Sequence, residues 1–194
     1  MKRSFVIATA LVLLFAFFAV STASAQEGEF EYIGSKGCKK CHLKQFKSWE
    51  QTTMATTFEK LRAGVDAEAK TGDGLDPDKD YTTDAECVAC HVTGYGKPGG
   101  FVDEATTPDL VGVGCESCHG PGGTYVQDEY MSLKNKEYVK AEIVAVGMVD
   151  TVGEAQCLSC HNAESPFVED GVVFDFEATK DEGTHEHFPM KYSH

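Results

Sequence analysis

The motif Cys38-Lys-Lys-Cys41-His42 returns three more times in this chain of 194 residues, as Cys87-Val-Ala-Cys90-His91, Cys115-Glu-Ser-Cys118-His119 and Cys157-Leu-Ser-Cys160-His161. The shared pattern, C-x-x-C-H, is typical of the attachment of a c-type haem. Two thiols add to the vinyl groups of one porphyrin, and the next residue, His, reaches the iron as its proximal ligand. The sequence therefore predicts four covalently bound c-type haems, with His42, His91, His119 and His161 as iron ligands.

Two other uses of eight cysteines compete with this interpretation. Four C-x-x-C pairs could build two zinc sites of four thiolates each, or a disulfide framework. Zinc ribbons do not require His after every pair, and a disulfide framework has no use for a uniform two-residue gap. The four histidines therefore favour haem, and haem attachment leaves no free thiol for nucleophilic catalysis.

The N-terminus has the pattern of a cleaved signal peptide, residues 1–25. Lys2 and Arg3 precede an apolar stretch from Phe5 to Val20, and Ala23-Ser24-Ala25 is a small-residue cleavage site. The alternative is a retained membrane anchor, but 16 apolar residues fall short of the roughly 20 that a spanning helix needs. We predict a periplasmic or otherwise exported protein, a single tetrahaem domain over residues 26–194, and no membrane span after cleavage.

The charge of the mature chain is strongly negative. Without Lys2 and Arg3, 15 basic residues face 31 acidic ones, a net charge of −16. Nucleic acid and anionic membrane surfaces are therefore disfavoured as partners. A redox partner protein with a basic docking face fits better, although the charge could also serve solubility alone.

The predicted fold is mainly α-helical with extensive irregular loops and little β structure, wrapped around four haems. One haem for about 42 of the 169 mature residues leaves little room for a side-chain core. Five segment predictions follow from residue patterns. The first is a helix over Leu43–Arg62, and the second is a loop over Asp66–Asp80 followed by a cap at Thr83 or Asp84. The third is an irregular Gly-rich link over Val92–Gly114 with a small hairpin at Gly99-Gly100. The last two are a broken helical region over Asp128–Met148 and an extended run over residues 172–176.

The second axial ligand of each iron is the main open question. Of seven histidines, four are proximal, which leaves His185, His187 and His194 for four haems. At least one iron of an isolated subunit must then have a different distal ligand or none. Met54, Met131, Met148 and Met190 are candidates. Met54 is favoured because it shares a predicted helix face with Phe58 and Leu61; simple packing is the alternative.

Several segments outside the motifs resemble one known family. They are Trp49-Glu-Gln-Thr-Thr-Met54-Ala, Asp80-Tyr-Thr-Thr-Asp, Gly94-Tyr-Gly-Lys-Pro-Gly-Gly, Gly112-Val-Gly-Cys-Glu-Ser-Cys-His-Gly-Pro-Gly and His185-Glu-His187-Phe. In this order they resemble the tetrahaem cytochrome c-554 family, which accepts electrons from hydroxylamine oxidoreductase in nitrifiers.

The resemblance implies a mainly helical fold with closely stacked haem pairs, three bis-His irons and a five-coordinate second haem. It implies that His187 or His185 is a distal ligand, most simply to the first haem. Two departures matter. This chain has Met54 where the family has a distal His, and Glu129 with Met131 nearby where the family has another. The first departure strengthens Met54 as a ligand, because a thioether can occupy the same position.

Three functions remain open on sequence grounds. We predict an electron-transfer protein that relays electrons between redox partners, without catalytic residues. One alternative is an enzyme whose open haem iron acts on a small nitrogen oxide, hydroxylamine or peroxide. The other is a subunit of a respiratory complex or cytochrome filament. The sequence does not specify an oligomeric state.

Overall fold

The computed structural model describes residues 30–163, 165, 174–181 and 183–190. The predicted signal peptide at residues 1–25 and the predicted ligand His194 lie outside these residues. So do residues 172 and 173 of the predicted extended run.

The described chain is helical, in short pieces. Its α-helices are α1 Ser35–Lys39, α2 Leu43–Trp49, α3 Ala67–Gly72, α4 Ala85–His91, α5 Cys115–His119, α6 Lys140–Ala145, α7 Glu154–Leu158 and α8 Phe176–Thr179. Two 3-10 helices cover Met54–Leu61 and Pro108–Leu110. Within the described residues there is no β-strand, and an isolated antiparallel bridge joins Val92 to Val111. The predicted class, mainly α with extensive loops and little β, is confirmed.

The single helix predicted over Leu43–Arg62 is wrong, because the chain breaks after Trp49 and resumes as the Met54–Leu61 3-10 helix. Threonine hydroxyls explain the change. Thr52 Oγ1 donates to the Trp49 carbonyl at 2.7 Å, and Thr57 Oγ1 donates to the Met54 carbonyl at 3.2 Å. Such side-chain bonds to carbonyls three residues back compete with the i→i−4 bonds of an α-helix.

The largest apolar core packs where the Met54–Leu61 helix meets α4. Phe58 lies at its centre with 1% of its surface exposed, and the Phe101 ring contacts it at 5.6 Å between centroids. The remaining members of this cluster are Leu61, Tyr81, Cys87, Val88, Val92 and Leu110. Cys87 belongs to the second motif, so this core directly supports one candidate haem site.

The other segment predictions have mixed outcomes. Asp84 caps α4 as predicted, since its Oδ1 accepts from the Glu86 N–H at 3.2 Å. The loop predicted over Asp66–Asp80 contains α3. Its Lys70 is buried, and Nζ donates to the Arg62 carbonyl at 2.5 Å. Such a bond satisfies a cation at a buried position, which a composition-based loop prediction does not anticipate.

Three further predictions need correction. The hairpin at Gly99-Gly100 is absent from the described residues; the Gly100 N–H instead donates to the Lys97 carbonyl at 2.9 Å in a tight turn. The helical region predicted over Asp128–Met148 is helical at Lys140–Ala145, and residues 128–139 form turns and bends. The extended run predicted to reach Phe176 is wrong at that residue, because the Asp175 side chain caps α8 there by accepting from the Ala178 N–H.

None of the helices within the described residues has the length and apolar character needed to cross a membrane.

Candidate haem-binding site

Each motif places its two cysteines and its histidine on one helical turn. α4 and α5 end at the motif histidines, and the turn also forms in the other two copies. There the His42 and His161 N–H groups donate to the Cys38 and Cys157 carbonyls at 2.9 and 2.8 Å. Residues i, i+3 and i+4 of a helical turn share one face. Each motif therefore offers two thiols and one imidazole from the same side, as haem attachment requires.

The first and third motifs pack against each other. Helices α1 and α5 are in contact, and the thiols of Cys38 and Cys115 lie close enough for each to shift the pKa of the other. Hydrogen bonding with the Cys38 thiol is the main reason why the pKa of Cys115 falls to about 7. The same bond, with burial and the neighbouring charges, raises the pKa of Cys38. Both effects show how close the two attachment sites lie.

The second and fourth motifs form a comparable pair. Burial, followed by the charge and hydrogen bond of the Cys160 thiol, raises the pKa of Cys90 to about 11. A cleft of about 350 Å³ lies between these two motifs. It is lined by Glu86, Ala89, Cys90, Ser159, Cys160, Asn162 and Ser165. The size lies in the range of small-ligand and cofactor pockets.

Helices α5 and α7 connect the two pairs. Cys118 of the third motif is half-buried and lies close to the cysteines of the fourth. Burial, and then the charges of neighbouring thiols including Cys157 and Cys160, raise the pKa of Cys118 to about 11. The four motifs are therefore arranged in the spatial order first, third, fourth, second.

The best-oriented proximal histidine is His91. Its Nδ1 lies 2.7 Å from the Thr57 carbonyl oxygen, so Nδ1–H donates and Nε2 stays available to an iron. The Thr57 hydroxyl donates in turn to the His91 carbonyl at 3.3 Å. Burial lowers the pKa of His91, which favours the neutral imidazole that binds metal.

The structure brings His185 and His187 to the first and third motifs. The His185 ring centroid lies 6.3 Å from that of His119 and 5.3 Å from that of His187. Burial and then the charge of His185 lower the pKa of both His42 and His119. The segment is held by Glu186, whose N–H donates to Ser48 Oγ on α2 at 2.8 Å. Two sequence-predicted distal ligands thus lie beside two proximal ones.

Met54 is half-buried, at the start of the 3-10 helix. Its carbonyl accepts from the Val113 N–H at 2.9 Å, just before the third motif. A Cβ atom built on Gly183 would lie 3.6 Å from Met54 Cε, so the thioether side chain reaches the segment that leads to His185. Of the other methionines, Met131 and Met148 are half-buried, and Met190 is 48% exposed with Sδ 3.6 Å from Gln45 Nε2.

Two residues that matter for the motifs were not found from the sequence. Thr57 holds His91 as described, mainly through a backbone carbonyl that leaves no signal in a sequence. Glu116 is fully buried within the third motif and accepts hydrogen bonds from three backbone N–H groups. A signal did exist for Glu116, because the third motif is the one copy with an acidic residue between its cysteines.

The alternatives of zinc and disulfides find no support in the described residues. All eight cysteines are described, and none is in a disulfide. No group of three or more His, Cys, Asp or Glu side chains in this part of the chain is arranged to hold a metal ion by protein ligands alone. The i, i+3, i+4 donor set and the cleft beside Cys90 and Cys160 fit a haem.

Comparisons with known proteins agree on one family. A family model described as cytochrome c554 and c-prime matches residues 37–120. Cytochrome c-554 of Nitrosomonas europaea is 38% identical over 151 residues, which cover 75% of this chain and 64% of that protein. The solved reduced-state structure of cytochrome c554 from the same organism superposes with a TM-score of 0.74 at 34% identity, over 84% of this chain and 89% of that one. The chain thus spans just under two thirds of the length of the curated relative.

Proposed function

Because the chain belongs to the cytochrome c554 family, we propose that it is an exported tetrahaem electron carrier that relays electrons between redox partners. Members of this family are c-type cytochromes with covalently attached haem. The observation that carries the proposal is the spatial order of the motifs, with Cys38 against Cys115, Cys118 near Cys157, and Cys160 against Cys90. An electron relay needs an uninterrupted row of haem attachment sites, whereas a single catalytic centre does not need one.

We propose the following roles for individual residues, supported by the motif geometry and the sequence. The eight motif cysteines would form the thioethers, and His42, His91, His119 and His161 would be the proximal ligands. His185 and His187 would serve as distal ligands on the side of the first and third motifs, and His194 remains a candidate from the sequence. Bound haem iron would supply the one-electron chemistry, and the chain would contribute ligand choice, burial and spacing.

The test is a mass and a redox titration of the exported protein. We expect the mass of residues 26–194 plus four haems, and four one-electron steps that pass reversibly between an added reductant and oxidant. A bare polypeptide mass from a strain competent in haem attachment would contradict the haem assignment. Turnover of hydroxylamine or nitric oxide would instead favour an enzyme. A mass that still includes residues 1–25 would contradict cleavage and favour a retained membrane anchor.

Met54 is our proposed thioether ligand of one iron. Its side chain lies beside the segment that carries His185, at the position where the family resemblance places a distal His. A Met ligand raises the potential relative to His, within a range of roughly 0.8 V that axial ligands span. Met54→His should keep the iron six-coordinate and lower the highest potential, and Met54→Ala should open the site to carbon monoxide. An unchanged near-infrared thioether band in Met54→Ala would assign Met54 to packing, and Met131 would be tested next.

The charges around the motifs suggest two kinds of docking surface. Residues 66–86, which lead into the second motif, contain eight Asp and Glu against two Lys. A partner with a basic face fits here, in agreement with the net charge. Around the first motif no acidic residue occurs between positions 32 and 49. Besides Lys36, which pairs with Asp109, four exposed lysines form a lysine surface there: Lys39, Lys40, Lys44 and Lys47.

Because the Debye length is about 8 Å at physiological salt, the local charge at each surface outweighs the distant net charge. A small anionic iron complex should therefore react at the lysine surface despite the net charge of the protein. The double variant Lys40→Glu/Lys47→Glu should slow this reaction severalfold and reduce its salt dependence. Lys97→Glu/Lys134→Glu makes the same change in net charge at exposed positions elsewhere and should have a smaller effect. Equal slowing by both variants would show that net charge alone governs the encounter.

A further inference from the structure

Glu116 is the one acidic side chain that is fully buried among the described residues, with 1% of its surface exposed. Its two carboxyl oxygens accept only backbone hydrogen bonds. Ile33 N–H donates to Oε1 and Oε2 at 3.1 and 3.2 Å, Gly34 N–H to Oε2 at 2.7 Å, and Gly122 N–H to Oε1 at 2.6 Å. Every partner is a donor, which is the arrangement that stabilises an ionised carboxylate.

No cation neutralises this carboxylate within the described part of the chain. All the ion pairs found there are at least partly exposed, and none includes Glu116. The negative charge is therefore held by amide dipoles alone. A charge that is removed from water and from counterions acts over a longer distance than the same charge at the surface.

The field of Glu116 reaches the first and third motifs together. Glu116 stands between Cys115 and Cys118, and it raises the pKa of Cys38 across the contact, after the larger effects of the Cys115 hydrogen bond, burial and the Cys115 charge. Burial and then the charge of Glu116 also raise the pKa of Tyr32. The second and fourth motifs have no buried carboxylate among the described residues.

We propose that the fixed buried charge of Glu116 lowers the reduction potential of the haems at the first and third motifs. The hydrogen bonds of Glu116 also position residues 33–34 and 122 around these two motifs. This inference rests on the proposed electron-carrier function. A ferric haem carries one positive charge more than a ferrous haem, so a nearby carboxylate favours the oxidised form. Each step transfers one electron to or from the haem iron.

Two variants at this position both disturb its hydrogen bonds, and only one of them removes the charge. Glu116→Gln keeps the length of the side chain, removes the charge and replaces one acceptor oxygen by an amide NH2 that cannot accept from a backbone N–H. Glu116→Asp keeps the charge and shortens the reach to Gly34 and Gly122. We expect Glu116→Gln to raise two of the four potentials, with at least a tenfold change in each one-electron equilibrium constant, about 59 mV. We expect Glu116→Asp to lower the thermal midpoint and leave the potentials close to wild type.

Glu86→Gln is the matched control, because Glu86 is also adjacent to an attachment cysteine, Cys87, but is exposed. Solvent and salt should screen the charge of Glu86, so Glu86→Gln should shift the potentials much less than Glu116→Gln does. Shifts in Glu116→Gln no larger than those in Glu86→Gln would overturn the proposal. If Glu116→Gln does not accumulate, Glu116→Met is measured instead, because it also removes the charge: shifts beyond those in Glu86→Gln support the proposal, and shifts no larger than those overturn it. Failure of the relay itself would appear separately, as missing one-electron steps in the wild type.

Discussion

The second and fourth motifs share the same five-residue pattern but differ in what surrounds them. Around the second, Cys87 and Val88 are buried in the core, Asp84 caps α4, and His91 is held by Thr57. Around the fourth, α7 has no buried residue and its N-cap Gly153 lacks a side chain. His161 is exposed and stacks on Phe174 with 4.7 Å between ring centroids.

This difference shows that the chemical groups of a motif and the polypeptide contacts that order it are specified by different residues. The pattern alone specifies two thiols and an imidazole on one turn. The surrounding residues decide how much of the site is ordered by polypeptide contacts. We infer that the second site is shaped mainly by the chain and that the fourth depends more on its haem, and four predictions test this difference.

The largest expected effect is the loss of the core beneath the second motif. Phe58→Ala should lower the free energy of unfolding by roughly 3–5 kcal/mol, because a fully buried ring is replaced by a cavity. The aromatic neighbour of the fourth motif should matter less, and Phe174→Ala should cost about 1 kcal/mol. Denaturant titration followed by circular dichroism measures both. Equal losses would remove the basis of the comparison.

A smaller effect is expected at Thr57, whose hydroxyl donates to the carbonyls of Met54 and His91. Thr57→Val keeps the shape and removes both bonds, so the protein should lose about 1–2 kcal/mol. The control is Thr56→Val, which removes one exposed bond to the Thr53 carbonyl. We also expect Thr57→Val, and not its control, to change the absorption or paramagnetic resonance signal of one haem. A loss in Thr56→Val as large as in Thr57→Val would contradict a specific support of His91.

The cap of α4 should contribute about 1 kcal/mol, since Asp84→Ala removes the side-chain acceptor of the Glu86 N–H. Asp84→Asn retains an acceptor and should keep most of that stability. The test is to compare the thermal unfolding midpoints of Asp84→Ala and Asp84→Asn with that of the wild type. If Asn is no better than Ala, the ion pair of Asp84 with Lys79 rather than the cap is responsible.

The smallest effect, a gain, is expected at the fourth motif. Gly153 has an extended backbone with φ −144°, and a Cβ atom there would meet nothing within 4 Å. Gly153→Asp should therefore add a cap to α7 and raise stability by a few tenths of a kcal/mol. The gain should make the fourth site more like the second. A loss of stability would show that Gly153 is required for a reason other than capping.

Local patterns predicted the parts of the molecule that depend on near neighbours. The four motifs, the Asp84 cap and the overall helical class all follow from residues a few positions apart. The break after Trp49 was missed because threonine hydroxyls outcompeted an apolar periodicity that still buries Phe58 and Leu61.

Long-range placement could not be predicted in the same way. Its place between two motif cysteines marks Glu116 in the sequence, but its burial follows only when residues 33, 34 and 122 are brought to it. The contact between Cys38 and Cys115, and the approach of His185 to His119, likewise join distant segments whose packing no local pattern encodes.

The hydrogen bonds of Glu116 also have a kinetic consequence. The bonds from Ile33 and Gly34 connect residues 83 and 82 positions apart, whereas the bond between His91 and Thr57 spans 34 positions. From the logarithmic dependence of loop closure on length, the longer loop costs about 0.8 kcal/mol more entropy. The region of the second motif should therefore close first and act as the folding nucleus. The enclosure of the first and third motifs should be a late event, completed when residues 31–34 and 120–123 close over a third motif that is already in place.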